Sequence, residues 1–380
     1  MDLSFTEDQK LIKDAARDVL KKECPSDLVR EMERDEKGYP PALWQKIAEL
    51  GWLRLIYPAR YGGLDGNLMD LVVLLEEMGR YLVPIPFLPT VILGGLPILY
   101  GGTEKQKQEF LPKIANGELI LSMAFTEPEP IYNATGINLR AIQEGDHFLI
   151  EGIKVFVPYA HVADYLICAT RTKNSKNRMK REDGITLFLV DGKNPRASLT
   201  SLETIACDKQ YEVVFNGINV ANKSMIGKYH KGWEVLKKVF EQATIAHCAL
   251  MVGGAERVLE MAVDYAKKRV QFNRPIGSFQ AIQHRCTNMV ADLDGAKSVT
   301  YEAAWKFDQG IPCTFEVSVA KAWVSQAYRR ICANGHQIFG GLGLIKDQDM
   351  ELYSRRAKAA EFFLGDTQFH REIIAKQLDL

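Results

Sequence analysis

The hydrophobic period changes twice along this 380-residue chain, and that double switch constrains its fold more than any other feature. Over residues 1–117 apolar side chains recur at helical spacing. Over 118–230 they gather into short runs, and over 231–380 the helical spacing returns. In the first region Thr6 and Gln9 have capping-box spacing, and Phe5 is placed to staple onto the first turn. Ile12, Ala15, Ala16, Val19 and Leu20 then form one apolar face. Further helices are expected at 42–50, stopped by Gly51, at 68–81 and at 104–116, with a Pro- and Gly-rich loop at 57–63.

In the middle region 119–125, 165–170 and 185–190 read as strands. Glu151-Gly152 reads as a hairpin signal between 147–150 and 154–157. Asn216-Gly217 reads as a tight turn between 212–215 and 218–220. The polar, basic stretch 173–184 reads as a solvated loop. In the last region long helices at 233–270, 279–309, 315–339 and 349–377 suggest an antiparallel bundle. The expectation is an α+β multi-domain chain: an N-terminal helical domain (1–117), a central β domain (118–230) and a C-terminal four-helix bundle (231–380).

Lys and Arg number 48, as do Asp and Glu, so neither a nucleic-acid binder nor a polybasic membrane-surface protein is expected. Cys24, Cys168, Cys207, Cys248, Cys286, Cys313 and Cys332 stand singly, with no C-x-x-C pair, so no metal site is expected. That dispersed set, with no secretory signal at the N-terminus, fits a reducing cytoplasm. The greasy stretch 83–100 contains Pro84, Pro86, Pro89 and Pro97, which argues against a membrane span.

No P-loop, G-x-G-x-x-G, G-x-S-x-G or H-E-x-x-H motif occurs. Four other segments, in order, carry a resemblance. Thr126-Glu127-Pro128 follows a strand, and Gly152-Ile153-Lys154-Val155-Phe156 has the form G-x-K-x-[WF]. The stretch 269–280 has the form R-x-x-F-x-x-x-x-x-x-x-Q, and Gln337 precedes Gly340, Gly341 and Gly343. In these segments and in domain order the chain resembles the acyl-CoA dehydrogenases along essentially its whole length.

The resemblance implies a fold with a central β-barrel and a four-helix bundle. It also implies FAD bound between the β domain of one subunit and the bundle of its neighbour. The implied enzyme activity is α,β-dehydrogenation of an acyl-CoA thioester, with cyclic, branched and dicarboxylic acyl groups as candidates. Electron-transferring flavoprotein is the implied acceptor and a tetramer the implied assembly. By resemblance Thr126 offers its hydroxyl and amide to the flavin, and Phe156 packs against the ring. Arg269 reaches the pyrophosphate, supported by Phe272 and Gln280. Gln337, Gly340 and Gly341 approach the ADP part, and Gln368 lies near the same cofactor.

The departures from the family pattern concern the catalytic base. Leu364 stands where most members have the catalytic Glu, and Ala243 stands at the alternative position on the first bundle helix. Tyr132 replaces a CoA-contacting Ser, Thr244 a CoA-contacting Arg, and Pro158 the Thr that bonds flavin N5. The residues that serve FAD across the interface are nearly intact, whereas those of the chain's own site are altered. Two further readings follow: a catalytically degenerate partner in a mixed α2β2 dehydrogenase with a paralogous subunit, and a same-fold flavoprotein with a different reaction. Asp366, Glu241, Asp208 and Glu212 are weighed as replacement bases, with structural or solvated roles favoured. His161, His247 and His336 read as structural histidines.

Overall fold

The computed structural model describes residues 5–173 and 182–380, so most of the 173–184 loop lies outside the described residues. In chain order the helices and strands are α1 (Glu7–Glu23), α2 (Ser26–Arg34), α3 (Pro41–Glu49), α4 (Leu68–Arg80), α5 (Leu96–Gly101) and α6 (Glu104–Ala115). Then come β1 (Leu121–Ala124), β2 (Arg140–Glu144), β3 (His147–Pro158), β4 (Tyr165–Arg171), β5 (Ile185–Asp191), β6 (Ala197–Leu202), β7 (Gln210–Ala221) and β8 (Met225–Ile226). The last part holds α7 (Gly232–Lys268), β9 (Val270–Gln271), β10 (Arg274–Pro275), α8 (Gln280–Asp308), α9 (Thr314–Phe339), α10 (Asp349–Phe362) and α11 (Thr367–Gln377). The architecture is a helical N-terminal part, a middle β part and a helical C-terminal part. By packing, the chain forms two compact units. One holds the residues through Glu31, Asn67–Val83 and Thr244–Leu380; the other holds Met32–Gly66 and Pro84–Ala243.

In the second unit, β1 to β8 form one sheet in the order β6-β7-β3-β2-β4-β5-β8, with β1 parallel to β4. Their inward side chains, among them Phe148, Ile150, Phe188, Val213, Phe215 and Ile218, share one core, around which the sheet curls. Both expected tight turns are absent. β3 and β7 each run 12 residues without reversing. Ile150 pairs with Ile218 and Gly152 with Phe215, so Asn216 and Gly217 stand opposite Glu151 in a β-bulge. Gly217 supplies a φ of 66°, which a bulge exploits as readily as a turn does. A second bulge follows. Lys154 pairs with Val213 and Val157 with Tyr211, which leaves Val155 and Phe156 opposite Glu212. The stretch 83–100 is wound as a π-helix, Leu88–Gly95, followed by α5. Among the described residues no helix is long and apolar enough to cross a membrane.

In the first unit the Thr6–Gln9 capping box is present. α4 is buried almost all round, because its apolar residues outnumber one face. Its N-terminal amides on Leu68 and Met69 donate to Asp308, at the end of α8, at 2.8 and 3.0 Å. A Cβ added at Gly253 would lie 1.8 Å from the Glu76 carbonyl oxygen, and one at Gly79 would lie 2.0 Å from that of Leu250. The helices α4 and α7 therefore cross backbone against backbone. Charged pairs line this crossing: Arg17 with Glu77 at 2.7 Å, Arg80 with Glu256 and Glu260, and Lys297 with Glu256 at 2.6 Å. Glu76 is buried beside the Tyr301 hydroxyl, and burial pushes its carboxyl up to about 7. The expected single helix over 349–377 is broken at residues 363–366, between α10 and α11, where Leu364 has φ 59° and Gly365 φ 101°.

Gly253→Ala is expected to destabilise the protein by roughly 3 kcal/mol, because neither backbone can yield without separating the helices. Urea unfolding measures it. A second expectation concerns Glu76. Its folded pKa lies above the unfolded value of 4.5, so the folded state holds the proton more tightly and loses stability as pH rises from about 4.5 to 7. Glu76→Gln is expected to flatten that slope, gaining on the order of 3 kcal/mol at pH 8 over the wild type and nothing at pH 4. Unfolding midpoints across that range provide the check.

Candidate active site

The second β3 bulge builds one half of the site. By leaving the ladder, Val155 frees its N–H, which donates to the Thr126 carbonyl at 2.9 Å. The next residue, Phe156, takes φ 53° and is turned outward, with 52% of its surface exposed. Beneath them the fully buried Lys154 reaches back with Nζ to the Phe125 carbonyl at 2.9 Å and to Glu127 Oε1 at 2.8 Å. The same carboxylate oxygen accepts the N–H groups of Asn138 and Leu139 at 2.8 and 2.9 Å. Burial lowers the Lys154 pKa, and the Glu127 charge opposes that shift. Thr126, between the two anchored residues, donates neither its N–H nor its hydroxyl to any group among the described residues. Pro158 has no N–H, and its carbonyl accepts the buried Ser122 hydroxyl at 2.5 Å.

The loop that follows Pro128 is tied down as well. Arg171 donates to the carbonyls of Ile137 and Asp183 at 2.9 and 3.0 Å, and also to that of Ala134. A Cβ on Gly136 would sit 2.1 Å from the Ile131 carbonyl oxygen, so the loop closes tightly on itself around the Tyr132 position.

The break between α10 and α11 holds Leu364. Its turn is gathered by Lys321, whose fully buried Nζ donates to the carbonyls of Ala360 (3.1 Å), Glu361 (2.9 Å) and Gly365 (3.0 Å) and also reaches Ser325 Oγ (3.1 Å). Burial pushes the Lys321 ammonium down to about 8. Two histidines flank the turn. His247 contacts the Ala360 carbonyl at 3.2 Å, with its ring 4.9 Å from that of Phe363. His370 donates from Nε2 to the Leu364 carbonyl at 3.0 Å. Burial, reinforced by Lys321, pushes them to about 3 and about 4, so both stay neutral at physiological pH.

Two of the carboxylates weighed as replacement bases, Asp366 and Asp208, have structural partners. Asp366 caps α11 by accepting the Phe369 N–H at 2.8 Å. Asp208 is engaged by Thr204 and by Gln210 at 2.6 Å. Ala243 is fully buried. His161 meets the Lys37 carbonyl and stacks on Tyr211, and His336 meets Ser354.

The remaining candidate residues lie in the helical unit. Arg269 follows α7 and is exposed, with no ion pair among the described residues. It leads into the β9–β10 hairpin, at whose tip Phe272 (φ 51°) is 85% exposed. Gln280 opens α8, and Gln337 lies in the last turn of α9. Stacking of Tyr265 on Phe339 at 4.4 Å joins the turn before Arg269 to the Gln337–Gly341 segment. Gly340 (φ 62°) and Gly341 have open space where a Cβ would project. Gln368 is exposed on α11, with no hydrogen bond to the other candidates. A cavity of about 300 Å³ bordered by Arg257, Asp264, Asp347 and Asp349 includes none of the candidates.

Taken unit by unit, these residues fit parts of a large cofactor: those of the β unit an aromatic face, those of the helical unit an anionic end. Thr126 offers unused donors, Phe156 and Phe272 are apolar rings turned outward, Arg269 is an uncommitted guanidinium, and two glycines leave room for close approach. Three family descriptions match the chain in sequence: the N-terminal domain of acyl-CoA dehydrogenase over residues 6–118, the middle domain over 122–218 and the C-terminal domain over 230–378. The chain belongs to the acyl-CoA dehydrogenase family.

It is 32% identical to a 3-(aryl)acrylate reductase of Clostridium sporogenes, over 98% of this chain and 99% of that protein. Its fold matches butyryl-CoA dehydrogenase of Megasphaera elsdenii with TM-score 0.91 and 28% identity, covering 100% of both chains. It also matches a chain of the ChsE4–ChsE5 complex of Mycobacterium tuberculosis with TM-score 0.90 and 26% identity, covering 100% of this chain and 99% of that one. Fold and family together make this an enzyme of the FAD-dependent acyl-CoA dehydrogenase type.

The sequence reading passed over two residues at this site. Lys154 lies inside the G-x-K-x-[WF] segment, and nothing in that spacing shows its burial. Lys321 falls on the apolar face of α9 with Val317 and Val324, and a lysine at such a position is the signal that would have found it. Lys321→Met is expected to cost about 3 kcal/mol of stability by stranding buried carbonyls. Urea unfolding should show it, with amide exchange faster at 363–370 than elsewhere.

Proposed function

We propose that this chain binds FAD and works as a subunit of an acyl-CoA dehydrogenase in which a base-bearing paralogue performs the proton abstraction. The supporting observation is the turn at Leu364. The position that carries the base in most relatives holds an aliphatic side chain, and the nearby Asp366 is spent on capping α11. The histidines beside that turn are held neutral, with Nε2 of each engaged to a backbone carbonyl. When bound, FAD supplies the hydride acceptor for α,β-dehydrogenation of an acyl thioester.

This chain's part is to hold and orient. Thr126 and Phe156 address the isoalloxazine. Arg269, Phe272, Gln280, Gln337, Gly340, Gly341 and Gln368 address the pyrophosphate and ADP end of FAD in the neighbouring subunit. Running the reaction as a reduction does not remove the requirement, because the same group must then donate the α-proton. That a structural relative comes from a complex of two named chains supports a mixed assembly. An electron-transferring flavoprotein is the proposed acceptor, and a cyclic, branched or dicarboxylic acyl-CoA the proposed substrate class.

Purified alone, the chain is expected to turn over a broad acyl-CoA panel at least about 100-fold more slowly than a base-bearing relative. Co-expression with such a paralogue is expected to give one yellow mixed tetramer. Arg269→Gln in this chain should then lower the FAD content of that tetramer. Full activity from this chain alone would overturn the proposal.

A further inference from the structure

We propose that Lys154 and Glu127 are a positioning pair for the flavin face, holding Thr126 and Phe156 in the orientation that meets the cofactor. This rests on the FAD reading above. Three bonds from β3 act on three consecutive residues. Phe125 is held through its carbonyl by Lys154 Nζ, Thr126 through its carbonyl by the Val155 N–H, and Glu127 through its carboxylate by Lys154 Nζ.

The three β3 residues involved are just as consecutive. Lys154 is the last paired position before the bulge, Val155 is the freed amide, and Phe156 is the outward ring at φ 53°. A non-glycine residue at such a φ persists only where its surroundings enforce it. Here the enforcing contacts come from one ammonium that cannot move without leaving charge and carbonyl oxygen stranded in the interior. The carboxylate extends the clamp to Asn138 and Leu139, so the loop after Pro128 is anchored at both ends by this pair. Within this clamp the unused N–H of Thr126 has a fixed direction. Lys154 and Glu127 act through their neighbours.

The test titrates FAD into the apo form of the assembly as purified, reading flavin fluorescence and the shape of the visible flavin band, with thermal midpoints measured in parallel. Lys154→Met is expected to weaken FAD binding at least about tenfold and to alter the band. The double variant Lys154→Met/Glu127→Gln, which restores neutrality, is expected to recover the thermal midpoint while FAD binding stays weak. In a Thr126→Val background the effect of Lys154→Met on FAD affinity should shrink, since both act on one contact. A folded double variant with wild-type FAD affinity and band shape overturns the positioning role, as does full additivity with Thr126→Val. A wild-type assembly that binds no FAD instead withdraws the cofactor reading itself.

Discussion

An ammonium group removed from water must collect oxygen atoms, and two buried lysines show what that requirement does to this chain. Lys154 and Lys321 are both fully enclosed. Lys154 takes its oxygens from residues beyond the end of β1, and Lys321 takes its backbone oxygens from the last turn of α10 and the turn after it. Lys154 binds the stretch leaving β1, and Lys321 binds the turn between α10 and α11. In each case the desolvation cost of the charge becomes a reason for the segment to stay in place. The two segments are also those where the family places its flavin contacts and its base.

Much of the fold was legible in the sequence because its largest signals are periodic. The helices at α3, α4, α6, α7, α8 and α9 begin and end within a few residues of where spacing and caps placed them. The misreadings share one physical origin. Gly152 and Asn216-Gly217 carry the positive-φ preference of a turn, and a bulge in a long bent strand has the same preference. Which of the two forms is decided by the register of β3 against β7, a relation between residues about 65 positions apart that no local window contains. Gly365-Asp366 was the reverse case. A helix-stop glycine followed by an N-cap aspartate marks a break, but the apolar period running across it suggested one helix.

For the site, the motif residues could be named in advance and their surroundings could not. That the Thr126 carbonyl is bonded and that Phe156 stands outward both depend on the second bulge of β3. Lys154 and Lys321 were hidden for a simpler reason. A lysine is ordinarily a surface residue, and only its place on an apolar face tells otherwise. That Leu364 and Ala243 carry no proton-accepting group is, by contrast, plain from the sequence alone.

The turn at 363–366 also bears on how such a chain changes over evolutionary time. Every bond that shapes it runs to backbone oxygens, through Lys321 and His370, or to the Asp366 cap. None runs to the side chain of residue 364. The hydrogen bonds that shape the turn therefore place no demand on the side chain at 364. A substitution at 364 can leave the hydrogen bonds of the turn in place while it changes what the side chain there can do with a proton.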